Sequence, residues 1–269
     1  MVDQPPIIMV VLNITPDSFS DGGLFLESQS AIDQANLMVR QGADIIDIGG
    51  ESTRPGASEV SAEDEFNRVL PVIEALSGNI DVPISIDTSK PFVMEKAFDA
   101  GASIINDVYA LRSEGALEMA SSLGANVCLM HMQGNPRTMQ EKPKYDDVVG
   151  DVKNFFIERI EACSSIGIKL ESITLDPGFG FGKNLAHNIA LLKNLAEFHE
   201  FGVSILAGLS RKSMIGSLLG DKEVDSRMIG SVTAALIAVE NGANIIRTHD
   251  VAETKEALSV WQKIKHFRE

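Results

Sequence analysis

Asp87, Asn106 and Asp176 each close a short apolar run, in "VPISID", "ASIIND" and "SITLDP". Buried carboxylates and amides are costly unless a partner supplies several N–H donors. A flat heterocycle with an amino-pyrimidinone edge has such donors. Asp176 suits an N–C–N edge, and Asn106 suits a neighbouring donor and acceptor. A second set is cationic: Arg54, Lys212, Arg247 and His249, with the hydroxyls of Thr53 and Ser213, in "STRPG", "SRKS" and "RTH". Arginine beside a hydroxyl in a glycine-rich turn is suited to phosphate or pyrophosphate. The two sets are expected to lie apart. The ordinary alternatives are that such aspartates cap turns and that such cations pair on the surface.

The five histidines, His131, His187, His199, His249 and His266, have no paired ligand spacing, so a tight zinc site is not expected. A Mg2+ ion accompanying a pyrophosphate needs little from the protein, because Mg2+ keeps water and phosphate oxygens around it. Asn13 and an acidic residue of the following stretch, "ITPDSFSDGG", are the candidate oxygen ligands.

Eight strand-and-helix alternations must position these groups. Strands are expected at 7–12, 44–49, 82–87, 102–107, 125–131, 172–177, 202–208 and 243–249. Helices are expected at 28–41, 61–77, 91–100, 115–123, 146–166, 186–198, within 211–241 and at 252–267. Gly42, Gly101, Gly124, Gly167, Gly202 and Gly242 stand between a helical pattern and the next strand, where a left-handed terminus is expected. Strands apolar along their whole length are buried on both faces, as in a parallel sheet covered by helices. Eight units in one chain predict an α/β fold of the (β/α)8 barrel type, a single domain over 1–269. In such a barrel the strand ends converge on one mouth, so the polar residues above face each other. No GxGxxG follows the first strand, and "GFGFGKN" is not a P-loop.

A chain of 269 residues with 44% hydrophobic and 23% charged residues can bury a large core. Its net charge of -15, from 38 acidic and 23 basic residues, opposes general nucleic-acid binding but allows a focused anion site. Cys128 and Cys163 lack a CxxC spacing and read as buried free thiols. The start "MVDQPPII" has no signal-peptide pattern, and no run approaches the ~20 apolar residues of a membrane span. A cytoplasmic protein without a membrane partner is expected.

Taken in order, "LNITPDSFSDGG", "GGESTRPGA", "SIDTSKP", "IINDV", "CLMHMQGNPRTMQ", "LDPGFGFGKN", "LSRKSMIG" and "IIRTHDV" closely resemble the dihydropteroate synthase family. The resemblance runs from Leu12 to Val251. It implies a transferase of folate biosynthesis that condenses 6-hydroxymethyl-7,8-dihydropterin pyrophosphate with p-aminobenzoate, giving 7,8-dihydropteroate and pyrophosphate. It also implies a homodimer, Mg2+ near Asn13, and competition by sulfonamide drugs. The pterin falls to Asp87, Asn106, Asp176 and Lys212, and the pyrophosphate to Asn13, Thr53, Arg54, Arg247 and His249. For p-aminobenzoate the residues are Phe19, Pro55, Phe181, Lys212 and Ser213. Catalysis is expected to rest on Asp87, Lys212, Arg247, Asn13 and Asp21.

On this reading the polar run after Asn13 is a lid, with Gly22 and Gly23 as hinge and Phe19 covering the amine. The expected chemistry is dissociative: pyrophosphate leaves first, and the exocyclic CH2 cation is stabilised by the electron-rich dihydropterin. Two alternatives remain open. A pterin-binding methyltransferase would share the Asp and Asn set but not need the cationic loops, and a non-catalytic barrel could keep the ring pocket alone. The chain departs from the family pattern at Val10 and Val11, where glycine is common, and in a short N-terminal segment. His131 and Arg137 match the motif without a derivable role.

Overall fold

The computed structural model describes residues 5–14, 23–53, 57–136 and 138–267. Eight parallel strands close into one barrel in sequence order: β1 (Ile7–Asn13), β2 (Ile45–Gly49), β3 (Ile84–Asp87), β4 (Ile104–Asp107), β5 (Asn126–Met130), β6 (Ile173–Asp176), β7 (Ser204–Ala207) and β8 (Ile245–Thr248). β1 pairs with both β2 and β8, which completes the circle. The helices are α1 (Gly23–Arg40), α2 (Ala62–Leu76), α3 (Pro91–Ala100), α4 (Ala116–Ser122), α5 (Val148–Ser165), α6 (Leu185–Lys193), α7 (Ser213–Leu218), α8 (Met228–Glu240) and α9 (Val251–Lys265).

Local chemistry starts and stops these helices. Ser61 caps α2 by accepting the Asp64 N–H at 3.0 Å, with Glu63, Asp64 and Glu65 filling the first turn. α3 opens on Pro91 and ends on Gly101 at φ +119°, in the left-handed region. The other five glycines expected at such ends also have positive φ. Asn184 and His187 cap α6 reciprocally.

Two helical stretches differ from expectation. α1 starts at Gly23, five residues before the predicted 28. The helix expected over 186–198 stops at Lys193; Asn194 follows as its C-cap, donating to the Ala190 carbonyl from both backbone and side chain, and a 3-10 segment, Leu195–Phe201, completes the connection. The helices expected within 211–241 are α7 and α8, separated by a short 3-10 turn at Val224–Ser226.

The main core lies between sheet and helices and includes Ile8, Val10, Ile46, Ile86, Phe156 and Phe198. Val10 and Val11 are both buried, so the departure at this point is accommodated as strand packing. Inside the barrel a smaller cluster, Met9, Ile45, Cys128, Leu206 and Ile245, forms a floor. Above it on the same strands stand Asp47, two residues beyond Ile45, and Arg247, two beyond Ile245. The apolar floor puts the charged layer against the mouth. Both cysteines are free and buried. No helix among the described residues is long and apolar enough to cross a membrane.

Candidate active site

The C-terminal ends of the strands bring Asp47, Asp87, Asn106, Asp176, Lys212 and Arg247 to one place. Arg247, on β8, crosses the barrel. Its Nε meets Asp47 Oδ2 at 2.7 Å, and its Nη2 lies 2.7 Å from both Asp47 Oδ2 and Asp87 Oδ2. Asn106 donates from Nδ2 to Asp47 Oδ2 at 2.9 Å. The expectation that cations and acids lie in separate sets is therefore wrong for Arg247, which sits within the acids. A strand's alternating pattern shows which residues face inward, but not how far a long guanidinium reaches across a closed barrel.

The electrostatics follow from this enclosure. Burial pushes the Asp87 carboxyl up to about 8 despite Arg247 beside it. Burial works against the charge on Arg247, but Asp47 and Asp87 outweigh it and hold the guanidinium above its ordinary range. On the opposite wall, burial raises Asp176, while Lys212 and the Gly178 N–H, which donates to Asp176 Oδ1 at 2.8 Å, pull it back. Lys212 is brought down to about 8 by burial, countered by Asp176. Its ammonium donates to the Phe179 carbonyl and lies 4.8 Å from the Phe181 ring centroid. Two acid and cation groups thus face each other, with polar atoms left for a flat ring between them.

Asn13 ends β1 half-buried. A Cβ on Gly49 would stand 3.5 Å from Asn13 Oδ1 and 3.4 Å from Asp87 Cβ, so the amide oxygen reaches the mouth beside Asp87. Thr53 and Asp87 line a cavity of about 400 Å³ that also includes Glu51, Lys90, Tyr109 and Asn135. Lys90 ties Glu51, 2.5 Å away, to the buried Glu65. The Glu51 carboxylate also accepts the Val60 N–H at 3.2 Å, which joins the two ends of the loop carrying Thr53. Ser213 and His249 are exposed on the rim, where His249 Nδ1 lies 3.0 Å from Ser210 Oγ. Phe19, Asp21, Arg54, Pro55 and Arg137 lie outside the described residues.

Some residues do structural work near the site. Asp107 is a turn cap: it accepts the N–H groups of Tyr109 and Leu111 at 2.8 Å each and the Ser89 hydroxyl. His131 is a wall residue. Its Nδ1 lies 2.9 Å from the Lys183 ammonium, its ring packs edge-on against Phe155 at 4.9 Å, and burial lowers its pKa to about 2. Lys183, only 3% exposed, also donates to the carbonyls of Gly178 and Phe181 at 3.0 Å. It thereby pins the turn that presents Phe181. The turn also needs its glycine: Gly178 has φ +70°, and a Cβ there would stand 1.9 Å from the His131 carbonyl oxygen. Nothing in the glycine-rich "GFGFGKN" marks its lysine as buried, so the sequence carries no sign of this pin.

Residues 9–249 match the model of the family described as pterin binding enzyme. The dihydropteroate synthase of Escherichia coli K12 is 57% identical over 257 residues, covering 95% of this chain and 90% of that one. This chain belongs to the dihydropteroate synthase family of pterin-binding enzymes. Two solved family members superpose closely. The Yersinia pestis enzyme in complex with a sulfonamide drug gives a TM-score of 0.93 at 51% identity, covering 98% of this chain and 95% of that one. The Xanthomonas albilineans enzyme with 7,8-dihydropteroate gives 0.90 at 45% identity, covering 100% and 97%. The closed eight-stranded sheet matches the fold of these relatives.

Proposed function

We propose that this chain condenses 6-hydroxymethyl-7,8-dihydropterin pyrophosphate with p-aminobenzoate to give 7,8-dihydropteroate and pyrophosphate, a transferase step of folate biosynthesis. The observation that carries the reading is the ring of half-buried Asp87 with buried Asn106 and Asp176, closed by Arg247 and Lys212, in a chain 57% identical to a dihydropteroate synthase. The pterin lies between the two walls. Asp176 accepts from its amino-pyrimidinone edge, Asn106 and Asp87 meet the opposite edge, and Lys212 donates to a ring acceptor. Phe181, held by Lys183, closes one side of the amine's position together with Ser213, and the family resemblance adds Phe19 and Pro55 from outside the described residues.

The residues suit a dissociative displacement. The exocyclic C–O bond breaks, the electron pair leaves with pyrophosphate, and the CH2 cation is shared with the dihydropterin ring. Asp87 and Asp176 favour positive charge on that ring, while Arg247, Arg54, Thr53, Asn13 and His249 hold the departing anion. The neutral amine then attacks and releases a proton, with no strong general base required. Arg247 faces both tasks, because one guanidinium is bonded to ring-side carboxylates and remains half-open to the mouth.

Asn13 offers one neutral oxygen near Asp87, and no group of three or more His, Cys, Asp or Glu able to hold a metal occurs among the described residues. That donor set fits Mg2+ arriving with the pyrophosphate rather than a resident ion. Bound there, Mg2+ would neutralise charge on the leaving group. A cytoplasmic homodimer completes the reading. Its support is the apolar outer face of α7 and α8, where Ile229 is 75% and Leu218 55% exposed. Sedimentation at micromolar concentration checks the dimer.

The deciding experiment follows pyrophosphate release and dihydropteroate by mass spectrometry, with Mg2+, with and without p-aminobenzoate. Amine-dependent condensation is expected. Ring binding without turnover would instead favour a pterin-binding protein of another kind.

A further inference from the structure

The reading above gives Asn106 to the ring and Arg247 to the pyrophosphate, yet both are bonded to a third side chain that it leaves without a role. Asp47 has no exposed surface and lies on β2, two residues before the strand ends. Its Oδ2 receives Arg247 Nε and Nη2 at 2.7 Å and Asn106 Nδ2 at 2.9 Å. Its other oxygen is buried with no hydrogen-bond partner among the described residues. Asn106 reaches it past β3, since Asp47 is in register with Ser85, and Asp87 on the same strand is in register with Asn106. Such a buried, incompletely paired carboxylate is costly to keep in a barrel wall.

An amide has nearly the same shape in either orientation, so an unrestrained Asn106 would present its carbonyl or its NH2 to the mouth with similar ease. Asp47 Oδ2 already accepts from a guanidinium, so the amide edge against it must be N–H. That leaves Oδ1 and the second N–H of Asn106, in a fixed order, for the ring. We propose that Asp47 is a positioning residue that sets the amide orientation of Asn106, and so selects rings that offer a donor and an acceptor in that order. The proposal rests on the pterin reading and adds the direction in which the ring edge is read. It separates Asp47 from Asp87 and Asp176: Asp47 acts through Asn106, and no substrate touches it.

The test titrates two probes calorimetrically, 6-hydroxymethyl-7,8-dihydropterin for the ring and Mg2+-pyrophosphate for the anion. In Asp47→Leu the side chain fills similar space but accepts nothing, so Asn106 loses the partner that fixes its amide and can turn either edge to the ring. Ring affinity is expected to fall about fivefold or more. Pyrophosphate affinity is expected to hold or rise, because a negative charge beside Arg247 is gone. In Asp47→Asn the amide oxygen can take the place of Oδ2 and accept from both Arg247 and Asn106, so the Asn106 orientation is kept. Ring affinity within about twofold of wild type is expected for this conservative variant.

Ring binding by Asp47→Leu at wild-type strength would overturn the inference. So would an equal loss of ring affinity in Asp47→Asn, where the acceptor is kept. Should the leucine variant not fold, Asp47→Asn decides: ring binding within about twofold of wild type supports the inference, and loss of the ring with pyrophosphate binding kept overturns it. A wild-type protein that fails to bind the ring at all defeats the functional reading, and this inference with it.

Discussion

At the inner wall of the mouth, Arg247 bonds Asp47 and Asp87 at 2.7 Å, and all three side chains rise from strands of the barrel. At the rim, His249 meets Ser210 at 3.0 Å, and Arg211 meets Asp250 at 2.6 Å, from the loops after β7 and β8. Asp47 is wholly buried, while the Arg211 side chain is 34% exposed and His249 is open to solvent. The inner set is costly: its charges are desolvated, and each depends on the others. At the rim His249 is inexpensive, because water replaces its lost partner, and only Asp250, with its side chain 8% exposed, depends on Arg211. On the proposed reading, recognition of a ring is therefore built into the fold itself, while contact with an outer anion is added at the loops.

The largest expected effect falls on the inner wall. Arg247→Met removes the cation that Asp47 and Asp87 share and leaves two buried carboxylates without it. Breaking a buried pair in this way is expected to cost about 3–5 kcal/mol of stability, read from urea unfolding, and to abolish measurable condensation. A variant as stable as wild type would erase the contrast between wall and rim. Asp176→Asn tests the opposite wall more gently. Ring affinity is expected to fall about 10- to 100-fold, with pyrophosphate affinity kept. Loss of turnover with ring affinity intact would remove Asp176 from ring recognition.

Protonation sharpens the same contrast. Asp87 titrates near 8 in the folded chain and near the ordinary carboxylate value of about 4 when unfolded. Between those values the folded chain holds a proton that the unfolded chain releases, so stability falls as pH rises from about 4 to 8. Lys212 titrates near 8 when folded and about 10.4 when unfolded. Its contribution runs the other way: above pH 8 the unfolded chain holds the extra proton, so stability rises again. The urea midpoint is therefore expected to dip near pH 8, and Asp87→Asn is expected to flatten the acid side of the dip. A dip that persists unchanged in Asp87→Asn would assign it elsewhere.

Much of the wall was legible in the sequence because strand periodicity and burial point the same way. Asp87, Asn106 and Asp176 end apolar runs, and a closed parallel barrel places such ends together. What could not be read was pairing across the barrel. Arg247 belongs with the acids because its reach spans the interior, and Asp47 becomes the hub only once β2, β4 and β8 are closed into one circle. The break in the helix over 186–198 was hidden for a different reason: the backbone tightens to 3-10 geometry after Asn194, while the buried Leu195 and Phe198 carry the apolar pattern on past it. Lys183 was passed over because a lysine in a glycine-rich run reads as exposed, whereas three backbone carbonyls and His131 surround its ammonium.

The smallest effect belongs to the rim and completes the comparison. His249 is exposed, its ring nitrogen contacts Ser210, and its backbone N–H donates to the same hydroxyl at 3.2 Å, a bond that survives loss of the ring. His249→Ala is therefore expected to change stability by no more than about 0.5 kcal/mol. If the rim serves the anion, the same variant weakens binding of the pyrophosphate-bearing substrate about five- to tenfold and leaves the affinity of the bare ring unchanged. Arg211, at φ +58° and bonded to Asp250, is the control for rim structure: Asp250→Asn weakens the bond between the two loops without removing a proposed anion contact. A loss of ring affinity in His249→Ala would mean that wall and rim are one coupled unit. Unchanged pyrophosphate affinity would shift the anion toward the loop of Thr53 and Arg54.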